Sequence, residues 1–247
     1  MKFDYIYGIN SVFAVLKAGR RRVNKLMLTQ PIGNKYQSLK LAQESSIPIE
    51  YHEREKLEKF ASYKPHQGIV AKVSEYEPIP LNDVSILDEY HNTGIFLCLD
   101  HITDPQNYGA ILRTACFFDC DGVIVTQKNA APVTPAVCKA SSGASEYSYI
   151  FEAKDLGDML RNAKERGYRV IGAGKGTEIR ELDKKVRAGD KIILVMGSEG
   201  KGLTQKVEKE CQDIVWIEGG KESIDSLNVA AASAILIHRL KQILTQS

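Results

Sequence analysis

Apolar residues form two alternating patterns from Gly94 onward. Short runs rich in valine and isoleucine are separated by longer segments in which apolar residues recur every three or four positions. The first pattern is typical of strands buried in a parallel sheet, and the second of amphipathic helices packed on it. The predicted strands are Ile95–Leu99, Gly122–Thr126, Arg169–Ala173, Lys191–Met196 and Ile214–Ile217. The predicted helices are Ala110–Phe118, Pro135–Ser142, Leu156–Arg166, Leu203–Cys211 and Asn228–Leu244. This alternation predicts an α/β fold with a mainly parallel sheet covered on both faces.

The first 77 residues alternate in the same way and predict a small α/β domain of their own. The predicted helices are Ile9–Leu16, Tyr36–Glu44 and Glu53–Ala61, and the predicted strands are Val23–Leu28, Pro48–Tyr51 and Gln67–Val73. The sequence Glu-Pro-Ile-Pro at 77–80 interrupts the pattern, because proline favours extended backbone before it. We therefore expect a domain at 1–77, a linker at 78–93 with one short helix, and a second domain at 94–247.

Composition narrows the class of protein. The chain has 247 residues, 43% hydrophobic and 26% charged, which is typical of a globular protein. No apolar run reaches the roughly 18 residues that a membrane helix needs. Asp4 and Asn10 stand where a signal peptide would have an apolar core, so we expect no secretion. The five cysteines are odd in number and form no CxxC pair, which predicts a cytoplasmic protein with reduced thiols, no disulfide framework and no metal site.

Positive charge is concentrated at the front of the chain. Residues 1–77 hold 13 Lys and Arg against 8 Asp and Glu, a net charge of +5, whereas the remainder has a net charge of −3. Such an asymmetry suggests a polyanionic partner for the N-terminal part. The candidate RNA-binding residues are Lys17, Arg20, Arg21, Arg22 and Lys25. A cluster of this size is also common on surfaces that bind nothing, so it leaves both interpretations open.

The segment from Phe96 to Phe118 has the densest group of polar residues at the end of a predicted strand. It is predicted as a strand, a polar loop from Asp100 to Gly109, and a helix that bears Arg113. Ligands of open α/β sheets bind at the carboxyl ends of the strands. The polar candidates in the loop are Asp100, His101, Asp104, Gln106 and Asn107. We expect a functional site here, with His101 in a structural role.

Two glycine-rich stretches look like nucleotide-binding loops but do not match their patterns. The stretch at 172–177 lacks the leading glycine of a Walker loop, and Gly176 stands where Ser or Thr should follow Lys175. In the stretch at 197–202, Glu199 occupies the position of the second glycine in GxGxxG. A third candidate, Ser226, precedes a helix of small residues and is also explained as a helix cap. Taken singly, each stretch is equally well a tight turn or a cap.

Three segments in sequence order carry a resemblance to a known family. The segments are DPQNYGAILRTA, which contains Asn107 and Arg113, then GSEGKGL from Gly197, and SLNVAAASAI from Ser226. Together they resemble the three signature motifs of the SpoU/TrmH family of RNA 2′-O-ribose methyltransferases, over about residues 94–243. The segments YGINSVFAVLKAG and HQGIVAKVSEYEPIPL resemble the subgroup that methylates a guanosine of large-subunit (23S) ribosomal RNA.

The resemblance implies a SPOUT α/β-knot fold, with a deep trefoil knot in the C-terminal part and a small ribosomal-protein-like RNA-binding domain before it. It implies that S-adenosyl-L-methionine binds in the knot. The cofactor-binding residues carried over by motif are Ala173, Gly174, Met196, Gly197, Gly200, Ile217, Leu227 and Asn228. Between Ile217 and Ser226 the chain departs from the family pattern, since it lacks the usual Pro and Met and is longer by one residue. The backbone contacts near Glu218 and Gly219 therefore stay open.

The resemblance also implies the catalytic residues, which are Asn107, Arg113, Glu199, Ser226 and Asn228. Arginine stays protonated in proteins, so we expect Arg113 to hold an RNA phosphate and stabilise charge on the 2′-oxygen rather than act as a base. The implied partners are ribosomal RNA and a second copy of the chain, joined through the knotted region, so that Arg113 serves a site shared between subunits. The alternatives are a transfer RNA substrate, or a noncatalytic RNA-binding factor on the same fold.

Overall fold

The computed structural model describes residues 2–127, 131–198, 200–219 and 226–245. Contacts between Cα atoms divide the chain into two units. The first contains residues 1–77 and 132–147, and the second contains residues 78–131 and 148–247. No helix among the described residues is both long and apolar enough to cross a bilayer. The two units are described separately below.

The first unit is built on a four-stranded sheet. Its strands are β1 (Phe3–Tyr7), β2 (Val23–Leu28), β3 (Ile49–Tyr51) and β4 (Ile69–Ser74), in the order β1-β4-β2-β3. The pairs β1–β4 and β4–β2 are antiparallel, and β2–β3 is parallel. Its helices are α1 (Ile9–Ala18), α2 (Tyr36–Glu44) and α3 (Arg54–Phe60). Side chains of β2 alternate between two cores, since Leu26 packs with Val12 and Leu39 while Met27 packs with Leu57.

A segment distant in sequence completes this unit. Residues 132–147 contain helix α6 (Pro135–Ala140), and Cys138 is buried in the same core as Val12. Gly143 has a left-handed φ of 88°, and a Cβ there would overlap the side chain of Ala14 in α1. Only glycine therefore permits this close approach. Periodicity along the chain gives no sign of the grouping, because the segment lies within the stretch expected to form the second domain.

The second unit is built on a seven-stranded parallel sheet. Its strands are β5 (Ile79–Pro80), β6 (Ile95–Asp100), β7 (Gly122–Thr126), β8 (Ile150–Ala153), β9 (Tyr168–Glu178), β10 (Lys191–Gly197) and β11 (Asp213–Trp216), in the order β11-β9-β10-β6-β7-β8-β5. Its helices are α4 (Ile86–Tyr90), α5 (Pro105–Phe117), α7 (Leu156–Glu165), α8 (Leu182–Lys185), α9 (Gln205–Glu208) and α10 (Val229–Thr245). The mainly parallel α/β sheet expected from the sequence is confirmed, as is the small α/β domain before it.

Several boundaries differ from the sequence-based prediction for physical reasons. Helix α5 begins at Pro105 rather than Ala110, because the Asp104 carboxylate accepts the backbone N–H of Gln106 and of Asn107 and caps the first turn. The polar loop is therefore only four residues long. The stretch expected to be a linker forms the edge strand β5, a position where proline is tolerated. Leu87 in α4 is fully buried.

Candidate functional site

Asp100 ends β6 at the carboxyl edge of the large sheet, opposite Gly197 at the end of β10. Its side chain is buried, with one carboxylate oxygen 2.6 Å from the backbone nitrogen of Thr204 and the other 2.6 Å from Nδ1 of His101. The carboxylate accepts both bonds, so it fixes the loop after β6 to the loop after β10. Asp100 supports the site, and Thr204 is a partner that the sequence does not reveal, because its backbone rather than its side chain makes the contact.

The turn after β10 requires glycine. The backbone N–H of Ser198 donates to the carbonyl of Gly202 (3.1 Å), and the N–H of Gly202 donates to the carbonyl of Ser198 (2.9 Å). This closure brings Gly202 so close that a Cβ on Gly197 would overlap its backbone and would lie 2.6 Å from the nitrogen of Leu203. Around Gly200 there is instead open space, so the outer side of the turn exposes its backbone. Glu199 lies outside the described residues.

A four-residue bend in β9 lies at the same edge of the sheet. Strand β11 pairs Ile214 with Gly172 and then Val215 with Thr177, so residues 173–176 are looped out of the ladder. A Cβ on Gly172 would lie 2.7 Å from Cδ1 of Leu203, and one on Gly176 would overlap the carbonyl of Ile214. Glycine at these two positions lets the bend pack against the turn after β10 and against β11.

The first and third motifs are joined by a side-chain hydrogen bond. The Asn228 amide nitrogen donates to the Asn107 amide oxygen over 2.9 Å. The amide oxygen of Asn228 also accepts the backbone N–H of Ala230 at 2.9 Å, which caps helix α10. Ser226 and Leu227 precede it and are exposed. One residue, Asn228, therefore links the start of α10 to the start of α5.

Arg113 lies on α5 as well, but on a different face from Asn107. Six residues at 3.6 per turn place the two side chains about 120° apart around the helix. Phe117 lies one turn further along the same face of the helix and is 80% exposed. The helix therefore directs Asn107 toward the third motif and presents Arg113 on a separate, exposed face.

The predicted cofactor residues occupy the ends of neighbouring strands. Met196 and Gly197 end β10, Ala173 and Gly174 begin the bend in β9, and Ile217 directly follows β11. These three strands are adjacent in the sheet, in the order β11-β9-β10. Asn228 is joined to α5 by its hydrogen bond to Asn107, and the exposed Leu227 directly precedes it. The described candidates thus gather at one edge, as expected for a ligand site of a parallel sheet.

Cysteines beside the site are buried thiols rather than nucleophiles. Burial raises the pKa of Cys98 well above its usual range, and it raises the pKa of Cys211 to about 12. All five cysteines are free thiols. No group of three or more His, Cys, Asp or Glu side chains in the described part of the chain is arranged to hold a metal ion.

The basic cluster of the first unit divides into structural and exposed residues. Arg21 is only 5% exposed, and its guanidinium pairs with Asp4 and Glu146 and donates to the carbonyl of Ser74. Burial raises the pKa of Glu146, an effect that Arg21 partly offsets. Arg21 is therefore the least accessible of the five predicted RNA-binding residues, because a buried guanidinium with these partners would reach a phosphate only by breaking an internal ion pair.

The other members of the cluster are more accessible. Lys25 is half-buried, and its ammonium group lies 2.9 Å from Glu50. Arg20 donates to the carbonyl of Tyr147 at 3.0 Å and is exposed, as are Lys17 and Arg22. These exposed cations stay candidates for RNA contact, and Lys25 would first have to leave its carboxylate.

Comparisons with known proteins agree with this geometry. A model of the SpoU rRNA methylase family matches residues 94–238, and a model of the RNA 2′-O-ribose methyltransferase substrate-binding domain matches residues 5–79. The 23S rRNA (guanosine-2′-O-)-methyltransferase RlmB of Shewanella oneidensis is 33% identical over 242 residues, covering 96% of each chain. The human mitochondrial rRNA methyltransferase 1 is 31% identical over 256 residues, covering 97% of this chain and 72% of that protein.

Solved structures share the fold. The SpoU methyltransferase AviRb from Streptomyces viridochromogenes, solved in complex with AdoMet, matches with a TM-score of 0.79 at 19% identity, covering 97% of this chain and 90% of that chain. An AdoMet-bound rRNA methyltransferase from Sinorhizobium meliloti matches with a TM-score of 0.78 at 20% identity, covering 99% and 88%. With the family model spanning more than half of the sequence, the chain belongs to the SpoU family and is an RNA methyltransferase.

Proposed function

We propose that the chain transfers a methyl group from S-adenosyl-L-methionine to the ribose 2′-oxygen of a guanosine in 23S ribosomal RNA. The observation that carries the proposal is the joining of the three motifs at one edge of the sheet, through Asp100–Thr204 and Asn107–Asn228. The choice of a 23S guanosine rests on the 33% identity with RlmB, whose name specifies that substrate. Another relative of equal identity, YacO of Bacillus subtilis, is named for both tRNA and rRNA, so transfer RNA is the competing substrate.

The residues at the sheet edge fit S-adenosyl-L-methionine. The bend at 173–176 and the backbone of Gly197, Ser198 and Gly200 offer donors and acceptors. No atom of the described residues lies within 4 Å of a Cβ built on Gly200, so a ligand can approach its main chain. Ile217 and the half-exposed Leu227 add apolar surface suited to an adenine ring. The bound molecule would supply an electrophilic methyl group on a sulfonium centre. We propose that Ala173, Gly174, Met196, Gly197 and Gly200 hold it together with Ile217, Leu227 and Asn228.

The protein's own task is to position the ribose and to stabilise negative charge on its 2′-oxygen. Arg113 is suited to clamp an RNA phosphate and to stabilise that charge, because guanidinium presents several donors in a fixed plane. We therefore propose that it acts through its charge and its donors and not as a general base. Asn107 and Asn228, already bonded to each other, would orient the ribose hydroxyls. We propose supporting roles for Glu199 and Ser226 in holding the motif loops.

We propose further that the active form is a homodimer, joined through a C-terminal trefoil knot as in the family. The support in this chain is the exposed face of α5 that bears Arg113 and Phe117, since a large aromatic ring that is 80% exposed favours burial against a partner. Arg113 would then act at a site whose Asn107 and Asn228 belong to the other copy. The five free thiols are consistent with a cytoplasmic enzyme.

The proposal is tested by assaying the purified chain with isotopically labelled S-adenosyl-L-methionine on unmodified 23S rRNA and on tRNA transcripts. We expect label on the ribose of a guanosine in 23S rRNA. Calorimetry with S-adenosyl-L-methionine separates the noncatalytic alternative, which predicts no binding. Mixing the impaired variants Arg113→Ala and Asn228→Ala tests the shared site, because activity above the mean of the two separate variants requires a heterodimer with one intact site, which forms only if the two residues come from different copies.

A further inference from the structure

A cleft in the first unit is not explained by the cofactor site or by the basic cluster. It is lined by Arg54, Glu58, Tyr63, Lys64, Pro65 and His66, and its volume is about 390 Å³. Arg54 and Glu58 lie one turn apart on α3, and the other four residues follow the end of that helix. The volume falls within the range of small-ligand sites.

Tyr63 gives the cleft an exposed aromatic surface. It is 76% exposed, more than the other tyrosines of the unit that are exposed, such as Tyr36 and Tyr51. Its φ of 59° and that of Ser62, 50°, are left-handed, a conformation that non-glycine residues rarely adopt. The backbone thus holds an amphipathic ring in solvent at the mouth of a cleft. Exposed aromatic rings are the surfaces on which unpaired RNA bases stack.

The charges of the lining favour an anion over a cation. Arg54 and Lys64 are positive, and Glu58 is negative and lies 3.3 Å from Nε of Arg54. The Nδ1 atom of His66 accepts the backbone N–H of Gly68 at 3.0 Å, so the neutral ring carries its proton on Nε2. Burial and the nearby Arg54 lower the pKa of His66, which keeps the ring neutral near pH 7. The lining therefore has one net positive charge.

His66 supplies an unused donor at the base of the lining. The residue is only 2% exposed, and its Nε2 atom makes no hydrogen bond within the described residues. Buried polar groups without a partner are rare in native proteins, and each calls for an explanation. A ligand with an acceptor atom would provide one only if the cleft opened, because Nε2 is itself buried.

We propose that this cleft binds one unstacked nucleotide of the RNA substrate, with its base on Tyr63 and its phosphate at Arg54 and Lys64. The proposal rests on RNA being the substrate, and it deepens the proposed function by assigning a nucleotide subsite to the first unit. RNA is favoured over an acidic peptide because the substrate-binding family model spans residues 5–79 and because residues 1–77 carry a net charge of +5. The stacking surface and the two cations match the two parts of a nucleotide.

The test measures the affinity of the full chain for a fluorescein-labelled 12-nucleotide single-stranded RNA of mixed sequence, by fluorescence anisotropy. Tyr63→Ala is expected to raise Kd roughly 5- to 100-fold, and Tyr63→Phe to keep the affinity, because stacking needs the ring and not the hydroxyl. Lys64→Ala should weaken binding and reduce the slope of log Kd against log salt concentration by about one, which corresponds to one lost phosphate contact. Tyr51→Ala is the matched control, since it removes an exposed tyrosine outside the cleft lining.

Equal affinities of Tyr63→Ala and wild type for the RNA would contradict the proposal that the cleft binds a nucleotide. Equal losses of affinity in Tyr63→Ala and Tyr51→Ala would contradict it too, as would a wild-type chain that does not bind the oligomer. Circular dichroism and calorimetry with S-adenosyl-L-methionine should show the Tyr63→Ala chain folded and unchanged in cofactor affinity. A wild-type chain that binds the oligomer through Tyr63 but methylates no RNA would contradict the proposed function and still support nucleotide binding in the cleft. The two failures are therefore distinguishable.

Discussion

The two ends of the seven-stranded sheet are built differently. At the carboxyl end, β10 ends in a glycine-rich turn and β9 contains a glycine-rich bend. The contacts at this end involve backbone groups and neutral amides, with Asp100 as a buried carboxylate. At the amino end, carboxylates and cations pair with one another. Both ends belong to the same parallel strands, so the difference comes from the residues at each edge and not from the sheet.

Two ionic networks occupy the amino end. Asp88 accepts hydrogen bonds from Arg166 (2.6 Å), Lys191 (2.9 Å) and the hydroxyl of Tyr168 (3.0 Å). Asp213, the first residue of β11, pairs with Arg169 and Lys185. Burial raises the pKa of Asp213, but the bonds from its two cations outweigh this effect and lower it overall.

Asp121 lies at the same end of the sheet and binds backbone groups. Its carboxylate accepts the backbone N–H groups of Asn92, Thr93 and Gly94, just before β6 begins. The polar side chains of the amino end thus satisfy each other or the backbone, and they stabilise the fold. At the carboxyl end the main chain is exposed and Arg113 faces outward. The comparison predicts that changes of polar side chains at the carboxyl end reduce activity with little effect on stability, whereas such changes at the amino end reduce stability.

The largest effect is expected from Arg113→Ala. Losing a charged group that stabilises developing negative charge should reduce methyl transfer by about 10²- to 10³-fold, a loss comparable to removing an oxyanion donor. The melting temperature should stay near that of the wild type, because Arg113 is exposed. Arg166→Ala is the matched control at the amino end, and it should keep its activity while it loses stability. Near wild-type turnover by Arg113→Ala would contradict the role of Arg113 in stabilising charge during methyl transfer.

Gly197→Ala is expected to destabilise the turn after β10. The new Cβ would overlap the backbone of Gly202, and overpacking of this kind costs about 1–3 kcal/mol of unfolding free energy. Affinity for S-adenosyl-L-methionine should fall with it. Chemical denaturation and calorimetry measure the two effects. Gly219→Ala is the control for stability, because a Cβ there meets no atom of the described residues within 4 Å. Equal stability of the two variants would show that the turn adjusts freely.

Asn107→Ala and Asn228→Ala should each lower methyl transfer by about fivefold, since a hydrogen bond of this kind contributes about 1 kcal/mol. If the pair acts as one unit, the double variant should be little worse than either single variant. A double-mutant cycle on kcat/KM measures this coupling. Additive losses would mean that the bond seen between the two amides does not matter for catalysis.

Asp88→Asn should have the smallest effect, and on stability alone. Hydrogen bonds from Arg166 and Lys191 lower the pKa of Asp88 to about 2, so the ion pairs stabilise the fold above the unfolded pKa near 4 and are lost as the pH falls through about 2. Because these side chains are about one-third exposed, we expect only about 1 kcal/mol at pH 7. The test is to measure the free energy of unfolding of wild type and Asp88→Asn at pH 7 and at pH 2. The same difference between the two proteins at both pH values would contradict the expectation.

Periodicity predicted most of the helices and strands of both units, because burial imposes a repeat of two or of 3.6 on the sequence. The order of the motifs predicted where the site would lie. The bend at 173–176 was not predictable, since it depends on a shift in pairing between β9 and β11. Neither was the burial of Arg21, because its partner Glu146 is 125 residues away in sequence. Contacts between distant segments leave little trace in local pattern.

The most direct test of the account follows methyl transfer to unmodified 23S rRNA, with nuclease digestion and mass spectrometry to identify the modified nucleoside. The account predicts 2′-O-methylguanosine with the wild-type chain and at least a hundredfold less with Arg113→Ala. Methyl groups found on a base, or in tRNA alone, would contradict the proposed substrate. No transfer to either RNA by a chain that binds S-adenosyl-L-methionine would contradict the assignment of the site.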